Sequence, residues 1–384
     1  MATDTRLRSN SSGARRRRLT VAAALSLTLV SGACAKAADG PDAAIDVEVG
    51  DFAATPEYLA GVADATDGLT YRMSMDMAMV VDAEGESFDV GGTLMTGEVD
   101  GERSTMTLDM GALLRDIAAQ APADEPLPEA FTEGDLTMEM VTDGSTLYMR
   151  APYFATIADL LLETGASPDD LGPVGDLADL GDRWGRIDLA EMSPSQVAGA
   201  AGAQSSDPRA FLDVVTRGTD VHELGSETIE GVETRGLGAT VTYGDMIEAQ
   251  GMDADDVREQ MTPGAATPGG DEFDDVFDAT LEAMFAMEMP VEVWVDGDDR
   301  VRRISLDMDM TEVLGVVAAE ADEDPGDGAL SMAMVMDFSD YGDASIEVEV
   351  PTDSVDITDD YLALIDGGGL DAGTGGPSLG STLG

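Results

Sequence analysis

The chain offers few side chains that could act as a thiol nucleophile, an imidazole general base or a soft metal ligand. Its 384 residues contain one histidine, His222, and one cysteine, Cys34. A Ser-His-Asp triad could be built only around His222, which lies in the strand-like segment VHELGSETIEG, where a surface or edge-strand role is more common. These counts also exclude a His/Cys metal site, and neither common glycine-rich phosphate loop occurs. The sequence therefore predicts no catalytic residue, no metal site and no cofactor.

Acidic residues are too numerous to identify a catalytic pair. The chain has 78 Asp and Glu against 20 Lys and Arg, a formal net charge of −58. Close carboxylate pairs arise by chance at this density, and a glycoside hydrolase also needs a cleft flanked by aromatic residues. The two tryptophans, Trp184 and Trp294, each lie in a strand-like segment, where packing is the more common role. We therefore expect a protein that is not an enzyme.

The charge also limits the partners. Residues 1–33 hold six arginines and one aspartate, so the rest of the chain has 14 basic and 77 acidic side chains. Phosphate binding needs clustered Lys and Arg, which excludes nucleic acid, and direct contact with anionic lipid headgroups is disfavoured. The acidic loops at 296–299 and 322–327 lack the residue order of a calcium loop. A solvated acidic coat explains the charge.

Cys34 is placed for covalent lipidation. Arg15 to Arg18 precede the apolar run Leu19 to Val30, the layout of a secretory signal peptide that is too short to span a bilayer. Ser31-Gly32-Ala33-Cys34 then resembles a bacterial lipobox, although the commonest form has leucine where Ser31 stands. In a lipobox the cysteine sulfur is diacylated and the cysteine becomes the mature N-terminus. The alternative is ordinary signal-peptidase cleavage after Ala35 or Ala37.

The most organised feature is a set of methionines at every second position, beginning with the segment 69–81, LTYRMSMDMAMVV. Period two is strand spacing, so alternate residues share one face of a sheet. Methionine is unbranched and polarizable, and it is common on surfaces that accept variable apolar partners. This face either packs as core under the protein's own helices or lines an apolar cavity for acyl chains. The candidate lining residues are Met73, Met75, Met77, Met79, Met106, Met110, Met138, Met140, Met308, Met310, Met332, Met334 and Met336.

The rest of the sequence predicts the elements that position these faces. Helices are predicted at 56–65, 111–120, 155–163, 193–201, 207–216, 244–260, 271–286 and 358–365. Strands, joined mostly by short turns such as Asp-Gly, are predicted at 69–81, 87–99, 103–110, 134–142, 145–150, 183–189, 220–229, 232–243, 290–295, 301–310, 330–338 and 345–350. A sheet of eleven or twelve strands with one apolar face must curl, close or be covered. We predict an α+β fold with a strongly curved antiparallel sheet, an unclosed β-barrel, and helices over its concave face.

Several segments resemble the LppX/LprG family of actinobacterial lipoproteins and, more distantly, the LolA/LolB lipoprotein carriers. They are SGAC at 31–34, RWGRIDL at 183–189, DPRAFLDVVTRGTDVHELGSETIEGVETRGLGATV at 207–241, and MPVEVWVDGDDRVRRISLDMDM at 289–310. The resemblance covers most of the mature chain. It implies an unclosed barrel with helices over its concave side, a cavity for lipids or lipidated glycans, and no catalytic residues.

The predicted organisation has four parts: a signal peptide at 1–33, a lipidated N-terminus and flexible tether at 34–55, a single lipid-binding domain at 56–366, and a disordered glycine-rich tail at 367–384. We expect the protein at the extracytoplasmic face of the cell membrane, anchored by acylated Cys34, where it binds and carries a lipid or lipidated glycan. The alternative is a structural or sensory envelope lipoprotein of the same fold, with a self-filled core and an envelope protein partner.

Overall fold

The computed structural model describes residues 55–66, 68–83, 86–101, 103–120, 134–163, 167–168, 171–192, 208–249, 252, 254–261, 271–320 and 328–366. The predicted signal peptide, the tether up to residue 54 and the glycine-rich tail lie outside these residues, and so does the predicted helix at 193–201.

Twelve strands form one sheet. They are β1 (Tyr71–Ala83), β2 (Glu86–Asp100), β3 (Arg103–Asp109), β4 (Thr137–Asp143), β5 (Thr146–Arg150), β6 (Trp184–Asp188), β7 (Thr219–Ile229), β8 (Val232–Thr242), β9 (Glu288–Asp296), β10 (Val301–Asp309), β11 (Ala329–Ser339) and β12 (Ser354–Asp356). At the β7–β8 hairpin, Glu230 and Gly231 have φ angles of 47° and 84°. Two positive φ values in a two-residue loop match the twist of paired strands, which is why glycine is favoured there.

The strand order explains how the sheet stays open. It runs β12-β6-β5-β4-β3-β2-β1-β11-β10-β9-β8-β7, so β1 is central and the edges β12 and β7 do not pair with each other. Every neighbouring pair is antiparallel except β12 and β6, which are parallel. The predicted fold class, an α+β fold with an open curved sheet, is confirmed, and the parallel pair is a local exception to the antiparallel prediction.

Ten α-helices are described: α1 (Pro56–Thr66), α2 (Gly111–Gln120), α3 (Tyr153–Glu163), α4 (Pro173–Ala178), α5 (Pro208–Val215), α6 (Tyr243–Ala249), α7 (Ala254–Met261), α8 (Asp271–Ala286), α9 (Thr311–Glu320) and α10 (Thr358–Asp366). They form three groups over the sheet. The first group links α1, α5, α6, α7, α8 and α9 and reaches β8 and β11. In the second, α4 packs between α3 and α10, and α10 reaches β6. The third is α2, which lies on β2.

Four strands end at an aspartate whose side chain begins the next helical segment. The Oδ1 atom of Asp109 accepts a hydrogen bond from Gly111 N at 2.8 Å, and that of Asp309 accepts one from Thr311 N at 3.0 Å. Asp188 and Asp356 do the same at the ends of β6 and β12. Hydrogen bonds from Thr311 hold the pKa of Asp309 below its ordinary value. Because aspartate satisfies a free backbone N–H at a helix start, this residue turns the chain from strand to helix.

The helices α2 and α9 begin with the same arrangement of backbone hydrogen bonds. Met110 N donates to Leu136 O at 3.2 Å, and Met310 N donates to Leu330 O at 2.8 Å, so each methionine binds the strand that follows its helix. The strands that lead into these helices, β3 and β10, both run in the same direction as β1. Both helices therefore begin at the same end of the sheet.

Three local predictions are wrong. The segment 345–350 forms no strand, although Ile346 and Val348 are buried. The preceding strand, β11, already pairs with β10 and β1 on its two sides, which leaves no edge where the segment 345–350 could add a strand. The regions 312–329 and 164–181, for which no helix is predicted, contain α9 and α4.

The β9–β10 hairpin is held by a buried carboxylate. The Asp296 side chain is 3% exposed and forms an ion pair with Arg302 at 2.7 Å. It also accepts hydrogen bonds from the backbone N–H groups of Asp298 and Arg300. Asp299, in the same turn, accepts a hydrogen bond from the Tyr58 hydroxyl at 2.7 Å. This hairpin therefore fixes α1 against the sheet.

Replacing Asp296 with alanine should cost about 3–5 kcal/mol of unfolding free energy, because a buried ion pair loses one partner. Asp298→Ala is the matched control: its carboxylate is 72% exposed, and such surface pairs contribute about 0–1 kcal/mol. The measurement is the urea unfolding midpoint followed by circular dichroism. Equal shifts for the two variants would contradict the assigned role of Asp296.

Candidate functional site: the methionine-rich inner face

The alternating methionines of different strands align into rows that cross the sheet. We call the face that carries them the inner face. In antiparallel strands, directly opposite residues point to the same side, so the strand registers define each row. One row crosses eight strands, from β8 to β4, without a polar residue: Leu237, Val293, Ile304, Met336, Met75, Met95, Leu108 and Met138.

A second row contains glycine gaps that methionine fills. It runs across β11, β1, β2, β3, β4, β5 and β6 as Phe338, Met73, Gly97, Met106, Met140, Met149 and Gly185. A Cβ atom at Gly97 would lie 3.1 Å from Cγ of Met106 and 3.3 Å from Cγ of Met73. The neighbouring thioether side chains therefore occupy the space above this glycine.

The structure brings the predicted lining residues together. Eleven of the thirteen candidate methionines are buried and belong to one continuous apolar cluster. The remaining two, Met110 and Met138, are half-buried and pack against that cluster. Their role in ligand binding stays a prediction. Cys34, the predicted lipidation site, lies outside the described residues.

Sequence reasoning missed Met95 and Met149, which lie in the same rows. Met95 follows an irregularity in the β1–β2 register between Met75 and Asp76, where Leu94 is the extra residue. A bulge shifts the alternation by one residue, so a strict period-two pattern does not find Met95. Met149 lies in β5, which has only five residues, too few for a clear pattern.

The helices that cover the middle of the inner face are only partly buried themselves. In α2, Leu113, Leu114 and Ile117 are all half-buried, and Ala112 lies over Gly92 of β2. In α9, Val313 is buried, while Leu314 remains half-buried. α2 lies on β2 and α9 lies on β11, so the two helices flank the central strand β1. Both helices therefore contact the inner face and also leave part of their own apolar surface exposed.

The opposite, outer face carries charges paired across the strands. Arginines lie directly opposite carboxylates in the pairs Arg72 with Glu98, Arg103 with Asp143, Arg150 with Glu139, and Arg303 with Asp337. Side-chain hydrogen bonds to Asp337 raise the pKa of Arg303. Opposite charges in register favour the observed strand pairing. The outer face therefore helps to fix which residues lie inside.

The other residues considered for chemistry lie at the sheet edge or pack against neighbouring residues. His222 is exposed on the edge strand β7, as predicted. Trp294 is buried, with its ring against Gly236, and Arg150 lies 5.3 Å from the ring centre of Trp184. Within the described ranges, no three His, Cys, Asp or Glu side chains are grouped so that they could hold a metal ion. None of the helices in the described part of the chain is long and apolar enough to cross a membrane.

No protein-family model and no curated protein sequence matches the chain. Among solved structures, the chain is similar to the lipoprotein LppX of Mycobacterium tuberculosis, with 13% identity, coverage of 77% of this chain and 99% of that chain, and a TM-score of 0.30. It is also similar to LprF from Mycobacterium bovis, with 12% identity, coverage of 77% of this chain and 95% of that chain, and a TM-score of 0.31. A DUF1329 family protein from Desulfovibrio piger has 12% identity, coverage of 76% of this chain and 93% of that chain, and a TM-score of 0.16.

The two glycines of β2 on the inner face give a test of its packing. Gly97→Ala should cost about 1–3 kcal/mol, the usual range for overpacking, since its Cβ would also lie 2.9 Å from the backbone oxygen of Thr105. Gly92→Ala is the control on the same strand and face, because its Cβ would meet only Ala112 Cβ, at 4.0 Å. Its effect should stay within about 0.5 kcal/mol. Urea unfolding measures both, and a Gly97→Ala midpoint equal to the wild-type value would contradict the close packing.

Proposed function

We propose that this chain is a membrane-anchored extracytoplasmic lipoprotein that binds an acylated lipid or lipoglycan on the inner face of its sheet and transports it. The observation that carries the proposal is the uninterrupted apolar row across eight strands, in which Met336, Met75, Met95 and Met138 provide thioether side chains. An acyl chain is long and apolar, so it matches this row in shape and chemistry once the helices over the row move aside.

The choice of methionine supports a surface that must adapt. A core selected only for rigidity would use more Ile, Val and Phe, whose rotamers are better defined. Methionine has three rotatable bonds and fills irregular gaps, so its side chains can rearrange around acyl chains of different length. Gly92 and Gly97 add to this freedom, because they leave the neighbouring thioethers on β1 without a side chain opposite.

Ligand entry requires part of the cover to move, because the central methionines are at most 7% exposed. The helices α2 and α9 suit this role: they begin at the same end of the sheet, through the same Asp-Met turn, and flank β1. Their half-buried leucines have less packing to lose than the buried strands. Each CH₂ group of an acyl chain transferred from water contributes about 0.8 kcal/mol, and this free energy offsets the displacement of the helices.

The predicted anchor and the charge have complementary roles in this proposal. Acylated Cys34 would hold the protein at the membrane, and residues 35–55 would act as the tether. The acidic surface is repelled by anionic headgroups, so the folded part would stand away from the bilayer. A lipid bound on the inner face could then be passed to an acceptor outside the membrane.

A second candidate function is favoured by the burial itself. The inner-face methionines already pack in one apolar cluster with the protein's own helices, as expected for a structural or sensory envelope lipoprotein whose core needs no ligand. In that case the acidic exterior would meet a protein partner.

Purified mature protein should carry stoichiometric lipid in native mass spectrometry, and solvent extraction should release it. After extraction, the protein should take up an apolar fluorescent dye such as N-phenyl-1-naphthylamine, because the inner face accepts apolar molecules. A clean ligand-free mass together with no dye uptake would leave only the self-filled candidate.

Volume-conserving substitutions sharpen this experiment. Leucine at Met77 and Met334, which face each other in register, should change stability by less than about 1.5 kcal/mol but reduce dye affinity, because the branched side chain adapts less. Met252→Leu is the control, since Met252 is buried outside the sheet. Equal dye affinity in both variants would contradict an adaptive role for the inner-face methionines.

The anchor is tested separately. Cys34→Ala should move the protein from the membrane fraction to the soluble extracytoplasmic fraction, because alanine has no sulfur to acylate. Immunoblotting of the separated fractions provides the measurement, with Ser31→Leu as a control that brings the lipobox to its commonest form and should stay membrane-bound. A membrane-bound Cys34→Ala protein would mean that the lipobox assignment is wrong.

A further inference from the structure

Two tyrosine hydroxyls have no hydrogen-bond partner among the residues that the structure describes. Tyr153 is the first residue of α3, and Tyr361 lies in α10. Both rings are half-buried and pack against the apolar cluster. Neither hydroxyl forms a hydrogen bond with any residue in the described part of the chain, in contrast to Tyr58 and Tyr341, whose hydroxyls donate to Asp299 and to the Val301 carbonyl.

The position of Tyr361 follows from its neighbour Ile357. Gly185 ends the inner-face row that contains Met140 and Met149. A Cβ atom at Gly185 would lie 2.3 Å from Cδ1 of Ile357, so Ile357 packs on the inner face of β6. Tyr361 N donates to Ile357 O at 2.9 Å, and residues four apart on a helix share a face. Tyr361 therefore lies above the end of the methionine row.

Tyr153 approaches the same place from α3. The helix α4 packs against both α3 and α10, which holds the two helices over this end of the sheet. Burial raises the pKa of Tyr361 to about 12. Burial also raises the pKa of Tyr153, and the nearby Tyr361 adds to that effect. Both phenols therefore stay protonated and remain hydrogen-bond donors.

A buried hydroxyl without a partner destabilises the protein, so such a pair in an otherwise apolar region needs a physical reason. An ester carbonyl oxygen is the matching group: it only accepts hydrogen bonds, and it ends an apolar chain. Carboxylates are poorly suited, because Asp360 and Asp176 lie near this end and would repel them.

We infer that Tyr153 and Tyr361 form the polar end of the binding site and donate hydrogen bonds to an ester carbonyl of the acylated ligand, whose chain then follows the row through Met149, Met140 and Met106. This inference rests on the proposed lipid-binding function and specifies its ligand class: an ester-linked lipid is bound more tightly than an ether-linked one of the same length.

The experiment compares two probes in native mass spectrometry, using the full mature protein after solvent extraction. The probes are dipalmitoylglycerol, which has ester carbonyls, and 1,2-di-O-hexadecylglycerol, which has none. The wild type should prefer the ester by roughly 5- to 10-fold, the effect of one or two neutral hydrogen bonds. In the Tyr153→Phe/Tyr361→Phe double variant this preference should fall to about 1, with ether binding unchanged. Tyr243→Phe, a buried tyrosine in the other group of helices, should keep it.

Thermal unfolding of the same variants adds a second measurement. Removing unpaired buried hydroxyls should leave the Tm of the double variant unchanged or raise it, whereas a lower Tm would show that the hydroxyls already have partners and would overturn the inference. Equal binding of the two probes by the wild type, or a preference that persists in the double variant, would overturn the inference and leave the proposed function standing. Binding of neither probe would overturn both.

Discussion

An antiparallel sheet with one apolar face must bury that face, and this requirement shapes the whole molecule. The inner face carries apolar rows across as many as eight strands, too wide to be covered by one helix. Closure into a barrel would also remove the sheet edges, but β7 and β12 stay apart. The chain instead returns over the face after β3, β5, β8 and β10, each time with helices before the next adjacent strand. Aspartates at strand ends, such as Asp109 and Asp309, start several of these helices directly after the strand.

The features predicted from sequence are those encoded by neighbouring residues. Alternating methionines identified β1 and β11 as strands, and the Asp100-Gly101 and Glu230-Gly231 steps identified hairpins, because these signals lie within a few residues. The failures depend on distant partners. Segment 345–350 has the alternation of a strand, but β1 and β10 already occupy both sides of β11. β12 has three residues, and its parallel pairing with β6 leaves no local signal.

The same limit applies to the candidate site. The sequence predicted that the methionines share a face, since period two is local, and the structure brings eleven of the thirteen into the buried cluster. It could not indicate Tyr153 and Tyr361, which are 208 positions apart and lie in two helices that both pack against α4. It also missed Met95, whose phase is shifted by the irregularity in β2. Local sequence patterns thus predicted the apolar inner face but not the tyrosine hydroxyls at its end.

The central position of β1 sets the order in which the protein can fold. β1 is the first of the described strands along the chain, whereas its partner β11 comes after almost the whole sheet, as the pairing of Arg72 with Ser339 shows. Pairings between distant strands form slowly, because loop closure must come first. The last long strand to be made therefore joins the two halves of the sheet, and shortening the chain before β11 removes the contact that unites them.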